Sequence, residues 1–314
     1  MQKVKGRIVK STGKTYEIVM PDGVRINAVI KGNLRTKTFK STNPIAVGDF
    51  VWVEYQKNDD KAFITGIDDR KNFIIRKSAK LSKQYQILAA NIDQAFLMVT
   101  IENPKTTTTF IDRFLATAEA YSVPVILLIN KIDLYASELL QTELFFLINL
   151  YKSLGYEVVE MSVTKQINIE KVRALAQNKV TLISGHSGTG KSSLIKLLIP
   201  NVEIETGHLS EYHRTGQNTT SASEMYRLPN GGYLIDTPGI KGFGLFDFKK
   251  SEIAHFFPEI FEVGRQCEFD DCTHTHEINC AVKQAVEEGK ISITRYESYL
   301  DIYLDENDKY RKPF

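Results

Sequence analysis

The 314-residue sequence predicts a multidomain protein that begins with a small β-barrel, continues with an α/β domain and ends with a mostly α-helical segment. Residues 1–70 contain short β-like runs separated by turn residues, which is typical of a small barrel of the oligonucleotide-binding (OB) type. Residues 91–247 alternate between strand and helix patterns, which favours a mainly parallel sheet with helices on both faces. Residues 248–314 have helical spacing around a cysteine cluster, and the basic, polar residues 71–90 are expected to be a linker.

The composition indicates a globular chain with little net charge. Hydrophobic residues make up 42% of it and charged residues 25%, and the formal net charge is +2. These values are typical of globular proteins and do not by themselves indicate nucleic-acid binding. Basic residues do cluster early in the chain, where they form either solvated faces or RNA contacts. The clusters contain Lys31, Arg35, Lys37 and Lys40, and then Arg70, Lys71, Arg76, Lys77, Lys80 and Lys83.

Targeting signals and a disulfide framework are not indicated. The first five residues lack the apolar core of a signal peptide, and the longest strongly apolar run, Val123–Ile129, is too short to span a membrane. All three cysteines lie between Cys267 and Cys280, and an odd, clustered set argues against disulfides. We therefore expect a cytoplasmic monomer with no membrane association.

The barrel prediction depends on β-forming runs that are separated by turn residues. Gly13, Pro21-Asp22-Gly23 and Gly48 supply the turns. The predicted strands are Gly6–Val9, Thr15–Val19, Arg25–Val29 and Asp49–Val53. A barrel of this type is expected to bind RNA, although the same architecture can also serve as a packing module.

The α/β prediction depends on apolar strands that alternate with amphipathic helices. The predicted strands are Gln94–Thr100, Val123–Asn130, Glu157–Met161, Lys179–Ser184 and Gly232–Ile235, and the predicted helices are Phe110–Tyr121 and Ser137–Leu154. Further helices are predicted at Ser251–Phe261, Cys280–Glu288 and Ile293–Leu304. Parallel sheets bind ligands at the carboxyl ends of their strands, and the motifs below follow predicted strands.

A phosphate-binding loop lies between a predicted strand and a predicted helix. The residues Gly185-His186-Ser187-Gly188-Thr189-Gly190-Lys191-Ser192 match the pattern Gly-x-x-x-x-Gly-Lys-Ser in the structural context that it requires. The glycines let backbone N–H groups point at phosphate oxygens, and the helix adds its positive end. We expect Lys191 to reach the β- and γ-phosphates, Ser192 to ligate Mg²⁺ and Ser193 to complete the nucleotide-binding set.

A guanine-reading motif, Asn130-Lys131-Ile132-Asp133, follows the strand Val123–Ile129. A carboxylate at Asp133 can accept hydrogen bonds from the ring N–H and the amino group of guanine, an arrangement that adenine does not offer. Asn130 and the Lys131 stem would brace the base. Ser162 and Val163 follow the next predicted strand and are candidates for a contact with guanine O6.

A possible sensor of hydrolysis is the sequence Asp236-Thr237-Pro238-Gly239, which follows the strand Gly232–Ile235. Asp236 fits a magnesium partner, and Gly239 can offer its N–H to the γ-phosphate. The polar segment Arg214–Ser221 lies between the phosphate loop and this sensor, and it is either a switch or an inert loop. Thr219 or Thr220 is the candidate for a second magnesium hydroxyl, with Thr220 preferred. Ile240 is aliphatic and cannot orient water, so slow intrinsic hydrolysis is expected.

The order of the two nucleotide motifs is reversed. In ordinary GTPases the phosphate loop precedes the Asn-Lys-x-Asp motif, whereas here Asn130–Asp133 precedes Gly185–Ser192. The central domain is therefore predicted to be a circularly permuted P-loop GTPase domain.

The cysteines form a Cys-x₄-Cys-x-His-x₅-Cys array of Cys267, Cys272, His274 and Cys280. Three thiolates and one imidazole make a closed tetrahedral set that is suited to one structural zinc ion and leaves no position for an activated water. His276 and Glu277 are nearby alternative ligands.

Together these residues closely resemble the family of ribosome small subunit-dependent GTPases A (RsgA, also called YjeQ). The resemblance covers nearly the whole chain, and its anchors are Asn130–Asp133, Gly185–Ser193, Asp236–Gly239 and the cysteine array, whose family spacing favours His274 as the ligand. It implies a GTP- and magnesium-dependent assembly factor that binds the maturing small ribosomal subunit and its rRNA near the decoding region. Hydrolysis of GTP to GDP, stimulated by the subunit, would promote release.

One position departs from the family pattern. The family commonly has a histidine before its paired threonines, where this chain has Asn218. An amide can orient water but cannot act as a general base near neutral pH. Asn218 is therefore the candidate for positioning the attacking water. The residues expected to carry catalysis are Lys191, Asn218, Thr219, Thr220, Asp236 and Gly239. The alternative functions are another P-loop ATPase or kinase, and an RNA-binding protein with a regulatory nucleotide site.

Overall fold

The N-terminal residues form a closed five-stranded barrel. The computed structural model describes residues 2–12, 14–31, 44–55, 62–77, 85–200, 223–236 and 248–304. In the barrel the parallel pairing of the third and fifth strands and the pairing of the first with the fourth close the sheet in the OB order. The strands are β1 (Gln2–Ser11), β2 (Tyr16–Val19), β3 (Arg25–Ile30), β4 (Phe50–Tyr55) and β5 (Ala62–Ile67). The predicted OB-type barrel is confirmed.

Every second side chain of the barrel strands points inward and fills the barrel. Ile8 of β1, Ile18 of β2, Val53 of β4 and Ile64 of β5 have no solvent exposure and form one core cluster. Their neighbours along each strand point outward, since successive side chains of a strand face opposite sides of the sheet. The barrel therefore has its own hydrophobic core.

Residues 71–90, expected to be a linker, differ from that expectation. Strands β6 (Phe73–Lys77) and β7 (Tyr85–Ala90) form an antiparallel pair. Ile74 and Leu88 are buried in the main core of the protein, and the Asn72 side chain bonds the backbone at Ile92 in both directions, at 2.8 Å each. The sequence prediction missed these strands because basic residues dominate the stretch. Its two short apolar runs supply the side chains that pack in the core.

The central domain is a six-stranded sheet in which five strands are parallel. The spatial order is β10-β9-β8-β11-β13-β12, and only β12 runs antiparallel to its neighbour in the sheet. The end of β1 pairs with β12 at Lys10↔Glu224, so the barrel strand extends the edge of this sheet. The strands are β8 (Gln94–Val99), β9 (Val125–Ile129), β10 (Glu157–Glu160), β11 (Val180–Gly185), β12 (Ser223–Arg227) and β13 (Tyr233–Asp236).

Helices cover both faces of this sheet, as the alternating pattern predicts. One face packs against α1 (Thr108–Ala120) and α2 (Glu138–Ser153), and the other against α3 (Ile169–Ala176) and α4 (Lys191–Leu198). A 3-10 helix (Ile132–Leu134) follows β9. The strand β12 and the helix α3 were not predicted. The α/β prediction is confirmed. From β8 the chain continues to β9 on one side of β8, and β11 lies on the other side, so the carboxyl end of β8 is a topological switch point.

The C-terminal segment is mostly helical, as predicted. It contains a 3-10 helix (Lys250–Phe256) and the helices α5 (Pro258–Gly264), α6 (Ala281–Glu287) and α7 (Ile293–Tyr303). Its core cluster includes Phe257, Val282 and Tyr299, together with Ala116 of α1. Across the described ranges, the helices are all too short or too polar to span a membrane.

A buried ion pair joins the C-terminal segment to the central domain. Arg295 of α7 and Asp112 of α1 have no solvent exposure, and the guanidinium donates to Asp112 Oδ1 at 2.8 Å and to Glu259 of α5 at 2.7 Å. Ser298 donates to Asp112 Oδ2 at 2.7 Å, and Tyr151 of α2 donates to Oδ1 at 2.8 Å. Three helices therefore meet at the Asp112 carboxylate, whose hydrogen bonds are satisfied, and Arg295 joins α5 to them through Glu259.

Replacing Arg295 by leucine is expected to lower the free energy of unfolding by about 3–5 kcal/mol, because Asp112 would remain fully buried, and Glu259 partly buried, without their cation. Urea denaturation of the full chain measures the change. The matched control is Arg265→Leu, since Arg265 forms a 3.3 Å pair with Glu262 and both side chains are more than 60% exposed. The control should change the free energy by less than about 1 kcal/mol. Equal effects of the two substitutions would contradict the prediction.

Candidate functional site

The phosphate loop occupies the switch point between β8 and β11. Gly185 ends β11 with a φ of 142°, and a Cβ there would lie 2.3 Å from Met98 O of the adjacent strand. Gly190 caps α4 with a φ of 103°, and a Cβ there would lie 2.5 Å from Asn130 Nδ2. Both positions require glycine for conformation and for space. The loop therefore brings its backbone against β8 and against the guanine motif, and Ser192 and Ser193 follow in the first turn of α4.

Lys191 is held inside the phosphate loop. Its ammonium donates to Gly185 O at 2.7 Å and to His186 O. Burial lowers the pKa of Lys191 to about 8, and the negative charge of Asp236 opposes that shift. A cation that has lost much of its hydration is well placed to bind an anion, so the loop fits a phosphate group.

Asp236 ends β13 beside the phosphate loop, because β13 pairs with β11 at Ile183↔Asp236. Burial raises the pKa of this carboxyl, and the positive charge of Lys191 opposes the shift. Carboxylates at this position suit a magnesium ion or its bound water. The other predicted switch and sensor residues, Asn218, Thr219, Thr220 and Gly239, lie outside the described residues, as do the neighbouring Thr237, Pro238 and Ile240.

Asn130 connects three loops of the site. Its buried side chain donates from Nδ2 to Thr189 O of the phosphate loop at 2.8 Å and accepts at Oδ1 from Val163 N at 3.1 Å. Thr189 is itself buried, and its hydroxyl donates to His186 O at 2.9 Å. The structure thus brings together the predicted phosphate loop, the guanine motif and the segment Ser162–Val163, which are far apart in sequence.

The Asp133 carboxylate has one oxygen with a partner and one without. Thr164 donates to Oδ2 at 3.4 Å, and a hydrogen bond from the Ser162 side chain holds the pKa of Asp133 below its ordinary value. Oδ1 is shielded from solvent and has no hydrogen-bond partner among the described residues. An acceptor without a donor is costly. The Asp133 side chain is partly exposed, and a turn of its carboxylate would let it accept from the two neighbouring N–H groups of guanine. The site therefore fits a guanine base.

Residues between β8 and α1, together with Phe110 in the first turn of α1, lie against the nucleotide motifs and were missed in the sequence. Lys131 Nζ donates to Asn103 O, the Pro104 ring lies 3.3 Å from the Cβ position of Gly188, and the Phe110 ring lies 3.8 Å from the His186 ring, centroid to centroid. The available signal was topological, since this segment leaves the carboxyl end of the strand beside β11. Lys131 adopts a left-handed φ of 68°, and Ile132 begins the 3-10 helix that carries Asp133.

The cysteine array converges on one point. The ligand atoms of Cys267, Cys272, His274 and Cys280 all lie within 4.8 Å of one another. His274 Nδ1 lies 3.6 Å from Cys267 Sγ and 3.5 Å from Cys280 Sγ, and the two sulfurs lie 3.9 Å apart. Ligands about 2.3 Å from a tetrahedral zinc ion are about 3.8 Å apart. The four side chains therefore could hold a zinc ion, and the sulfurs are too far apart for a disulfide.

The alternative ligands face elsewhere. The His276 side chain is 84% exposed. The Glu277 carboxylate accepts hydrogen bonds from Thr273 N at 2.7 Å and Thr275 N at 2.9 Å, so it caps the turn that carries His274. Helix α7 supports the same turn, because Tyr296 donates to His274 O at 2.6 Å.

Comparison with known proteins agrees with this geometry. Residues 67–246 match the family model described as RsgA GTPase. A relative from Bacteroides thetaiotaomicron named small ribosomal subunit biogenesis GTPase RsgA 2 is 49% identical over 312 residues, which cover 99% of this chain and 100% of the relative. A relative from Bacteroides fragilis named small ribosomal subunit biogenesis GTPase RsgA is 50% identical over 312 residues, with the same coverage.

Two solved structures share the fold. The crystal structure of YjeQ from Thermotoga maritima has a TM-score of 0.79 and 30% identity, and the match covers 97% of this chain and 98% of that one. The structure of YloQ, described as a circularly permuted GTPase, has a TM-score of 0.75 and 27% identity, with coverage of 100% and 97%.

The unpaired Asp133 oxygen leads to a prediction about base selectivity. Asp133→Asn is expected to weaken GTP binding by about 100-fold or more and to favour xanthosine triphosphate, because the amide can donate to the extra carbonyl of xanthine. Titration with labelled GTP and xanthosine triphosphate measures both affinities. Asp69→Asn, the same change at an exposed residue, should leave them unaltered. A variant that loses both nucleotides equally would contradict the assigned role.

The cysteine geometry leads to a prediction about metal content. The purified full chain is expected to carry about one zinc ion, and Cys272→Ser should lower that content at least about tenfold together with the melting temperature, since metal binding and folding are coupled in such sites. Elemental analysis by mass spectrometry measures the metal. The exposed neighbour supplies the control, because His276→Ala should retain the ion. Retention by Cys272→Ser, or loss from His276→Ala, would overturn the ligand assignment.

Proposed function

Because this chain belongs to the RsgA GTPase family, we propose that it acts as a late assembly factor of the small ribosomal subunit, whose GTP hydrolysis that subunit stimulates. The chain is a GTP hydrolase by family membership. The relatives carry small-subunit biogenesis in their names, and they match this chain over nearly its full length. The proposed partners are GTP, GDP and the small subunit with its rRNA.

The observation that carries the guanine-nucleotide part of the proposal is the Asn130 bridge together with the unpaired Asp133 oxygen. Asn130 fixes the guanine motif against the phosphate loop at 2.8 Å. Asp133 Oδ1 is enclosed and lacks a donor among the described residues. A base with two adjacent N–H donors satisfies this arrangement, and adenine does not.

We assign the residues of the site as follows. The backbone of Gly185–Gly190 and the Lys191 ammonium bind phosphates, while Ser192 and Asp236, with Thr220 or Thr219, would hold magnesium. Magnesium supplies charge neutralisation at the phosphates when it is bound. Gly239 contacts the γ-phosphate, and Asn218 orients the attacking water. Ser162 and Val163 contact the base, with the Val163 backbone fixed by Asn130 at 3.1 Å.

The domain roles in the proposal follow the order of the chain. Residues 1–70 contact rRNA, residues 71–90, which include the paired strands β6 and β7, connect the barrel to the GTPase domain, and residues 91–247 bind and hydrolyse GTP. Residues 248–314 form the zinc-binding segment, in which one ion would stabilise the turn around His274. The ligand set Cys267, Cys272, His274 and Cys280 is closed, so the proposed role of the ion is structural. A ribosomal subunit is a cytoplasmic partner, and one monomer per subunit is proposed.

A turnover assay with and without small subunits tests the proposal. Phosphate release from GTP by the full chain is expected to rise at least about tenfold with equimolar small subunits, which equals about 1.4 kcal/mol of added transition-state stabilisation. Large subunits serve as the control and should not stimulate. Absence of any rise with small subunits would refute the proposed mechanism.

The same assay tests the water-positioning role. If Asn218 orients the nucleophile, Asn218→Ala lowers kcat at least about tenfold and leaves the KM for GTP nearly unchanged, because the lost contact is made in the transition state. Asn149→Ala, the same change at an exposed position of α2, is the control. A change confined to KM would remove Asn218 from the catalytic set.

A further inference from the structure

One outer side of the barrel alternates basic and aromatic side chains. Across the antiparallel pair, Lys5 of β1 lies opposite Trp52 of β4, and Arg7 lies opposite Phe50. Lys3 occupies the next outward position of β1, since the inward positions hold valine, glycine and isoleucine of the barrel core. We call this surface the aromatic–basic face; its residues are Lys3, Lys5, Arg7, Phe50 and Trp52.

The cations of this face lie over its rings. Lys3 Nζ is 5.5 Å from the Trp52 ring centroid, and Lys5 Nζ is 5.0 Å from that of Phe50. Trp52 is 37% exposed although it is the largest apolar side chain type. Gly66 of β5 lies opposite Trp52, and a Cβ there would approach Trp52 Cδ1 to 3.3 Å. The glycine lets the indole lie close to the sheet while part of its surface stays accessible.

The charge of this region is positive. Three exposed cationic side chains, Lys3, Lys5 and Lys31, stand against two carboxylates, Glu54 and Asp68. The Arg7 guanidinium is partly buried and lies over the rings of Phe50 and Tyr233. Lys31 pairs with Glu54 at 2.9 Å and Lys5 pairs with Asp68. Both acids are thus neutralised, and the excess is cationic. An anionic partner is favoured, and it must also have flat apolar groups to cover the indole.

The opposite side of the barrel lacks this combination. Outward residues of β2 and β3 are Glu17, Val19, Arg25, Asn27 and Val29, which include no aromatic ring. The one cation among them, Arg25, pairs with Glu17 at 2.7 Å. The two sides of the same barrel therefore differ in chemistry, although their strands are similar in length.

We propose that the aromatic–basic face binds a single-stranded segment of RNA, with one unstacked base on Trp52 and the flanking phosphates on Lys3 and Lys5. The inference rests on the proposed function, which makes rRNA a partner, and it adds the surface and the kind of RNA. Bases stack on exposed aromatic rings whatever their sequence, and cations beside the ring follow the backbone. A paired helix would offer phosphates but no free base, so single-stranded RNA fits better than duplex RNA.

Trp52 is the one tryptophan of the chain, so tryptophan emission reports on this face alone. Titration of the full-length protein with a 12-nucleotide oligouridylate is expected to quench the Trp52 emission in a saturable way. The apparent affinity should fall as salt rises, because bound cations on RNA are released. A duplex RNA of the same length is expected to quench much less. Binding without any change in emission, or equal quenching by the duplex, would overturn the proposal.

Substitutions provide the second measurement, by an assay that does not need fluorescence. Trp52→Ala is expected to weaken oligouridylate binding about tenfold, within the range for loss of one stacked base, and Trp52→Phe should restore most of it. Val29→Ala truncates a side chain of similar exposure, 36%, on the opposite side and should leave affinity unchanged. Circular dichroism establishes that each variant is folded. Unchanged affinity of folded Trp52→Ala would refute the proposal.

One experiment separates the RNA-binding role of the aromatic–basic face from the proposed function of the whole chain. Trp52 lies in β4 of the barrel, which carries none of the nucleotide motifs. Trp52→Ala should therefore keep the intrinsic GTP turnover and need a several-fold higher concentration of small subunits for half-maximal stimulation. If small subunits stimulate the wild-type chain and Trp52→Ala needs no higher concentration of them, only the RNA-binding role of the aromatic–basic face is refuted. If the wild-type chain is not stimulated, the proposed function itself is wrong.

Discussion

The nucleotide site depends on two hydrogen bonds of the Asn130 side chain. One amide holds the phosphate loop through Thr189 O and the base-side loop through Val163 N. The bond to Thr189 O is buried and the bond from Val163 N is partly buried, so exchanging either contact for water is costly. In a permuted chain the guanine motif precedes the phosphate loop by 55 residues, from Asn130 to Gly185. Chain continuity does not position the two motifs, and this side chain does.

The same contact constrains the residue at the start of α4. A Cβ at Gly190 would lie 2.5 Å from Asn130 Nδ2, so the close approach of the bridge requires glycine at the start of α4. Pro104 and Phe110 enclose the phosphate loop from the other side, at Gly188 and His186. The loop is therefore fixed on both sides by residues that precede it in the chain. Lys191, enclosed within this frame, presents its charge in a set direction.

Sequence patterns predicted the parts of this protein whose chemistry is local. Gly185–Ser192 and Asn130–Asp133 could be placed because glycine spacing and apolar strands are visible within a few residues. The strand β7 was missed because basic residues dominate the composition around its short apolar run. The strand β12 is defined by its pairing with β1 and β13, about 200 residues and ten residues away, and local propensity carries little of that information. The fold class followed from periodicity, whereas long-range pairings did not.

The Asp112–Arg295 pair, separated by 183 residues, is the clearest long-range case. Stability alone does not explain it, because apolar residues of similar volume often replace a buried ion pair without loss. The geometry of the pair fixes the directions of several contacts, which apolar packing does not. The Asp112 carboxylate accepts hydrogen bonds from α7 and from Tyr151 of α2, and Arg295 also donates to Glu259 of α5. Apolar packing around Ala116 would allow α7 to rotate or slide on α1. Directional bonds at the buried Asp112–Arg295 pair permit one register. That register fixes the C-terminal helical segment to α1, the same helix whose first turn lies against His186 of the phosphate loop.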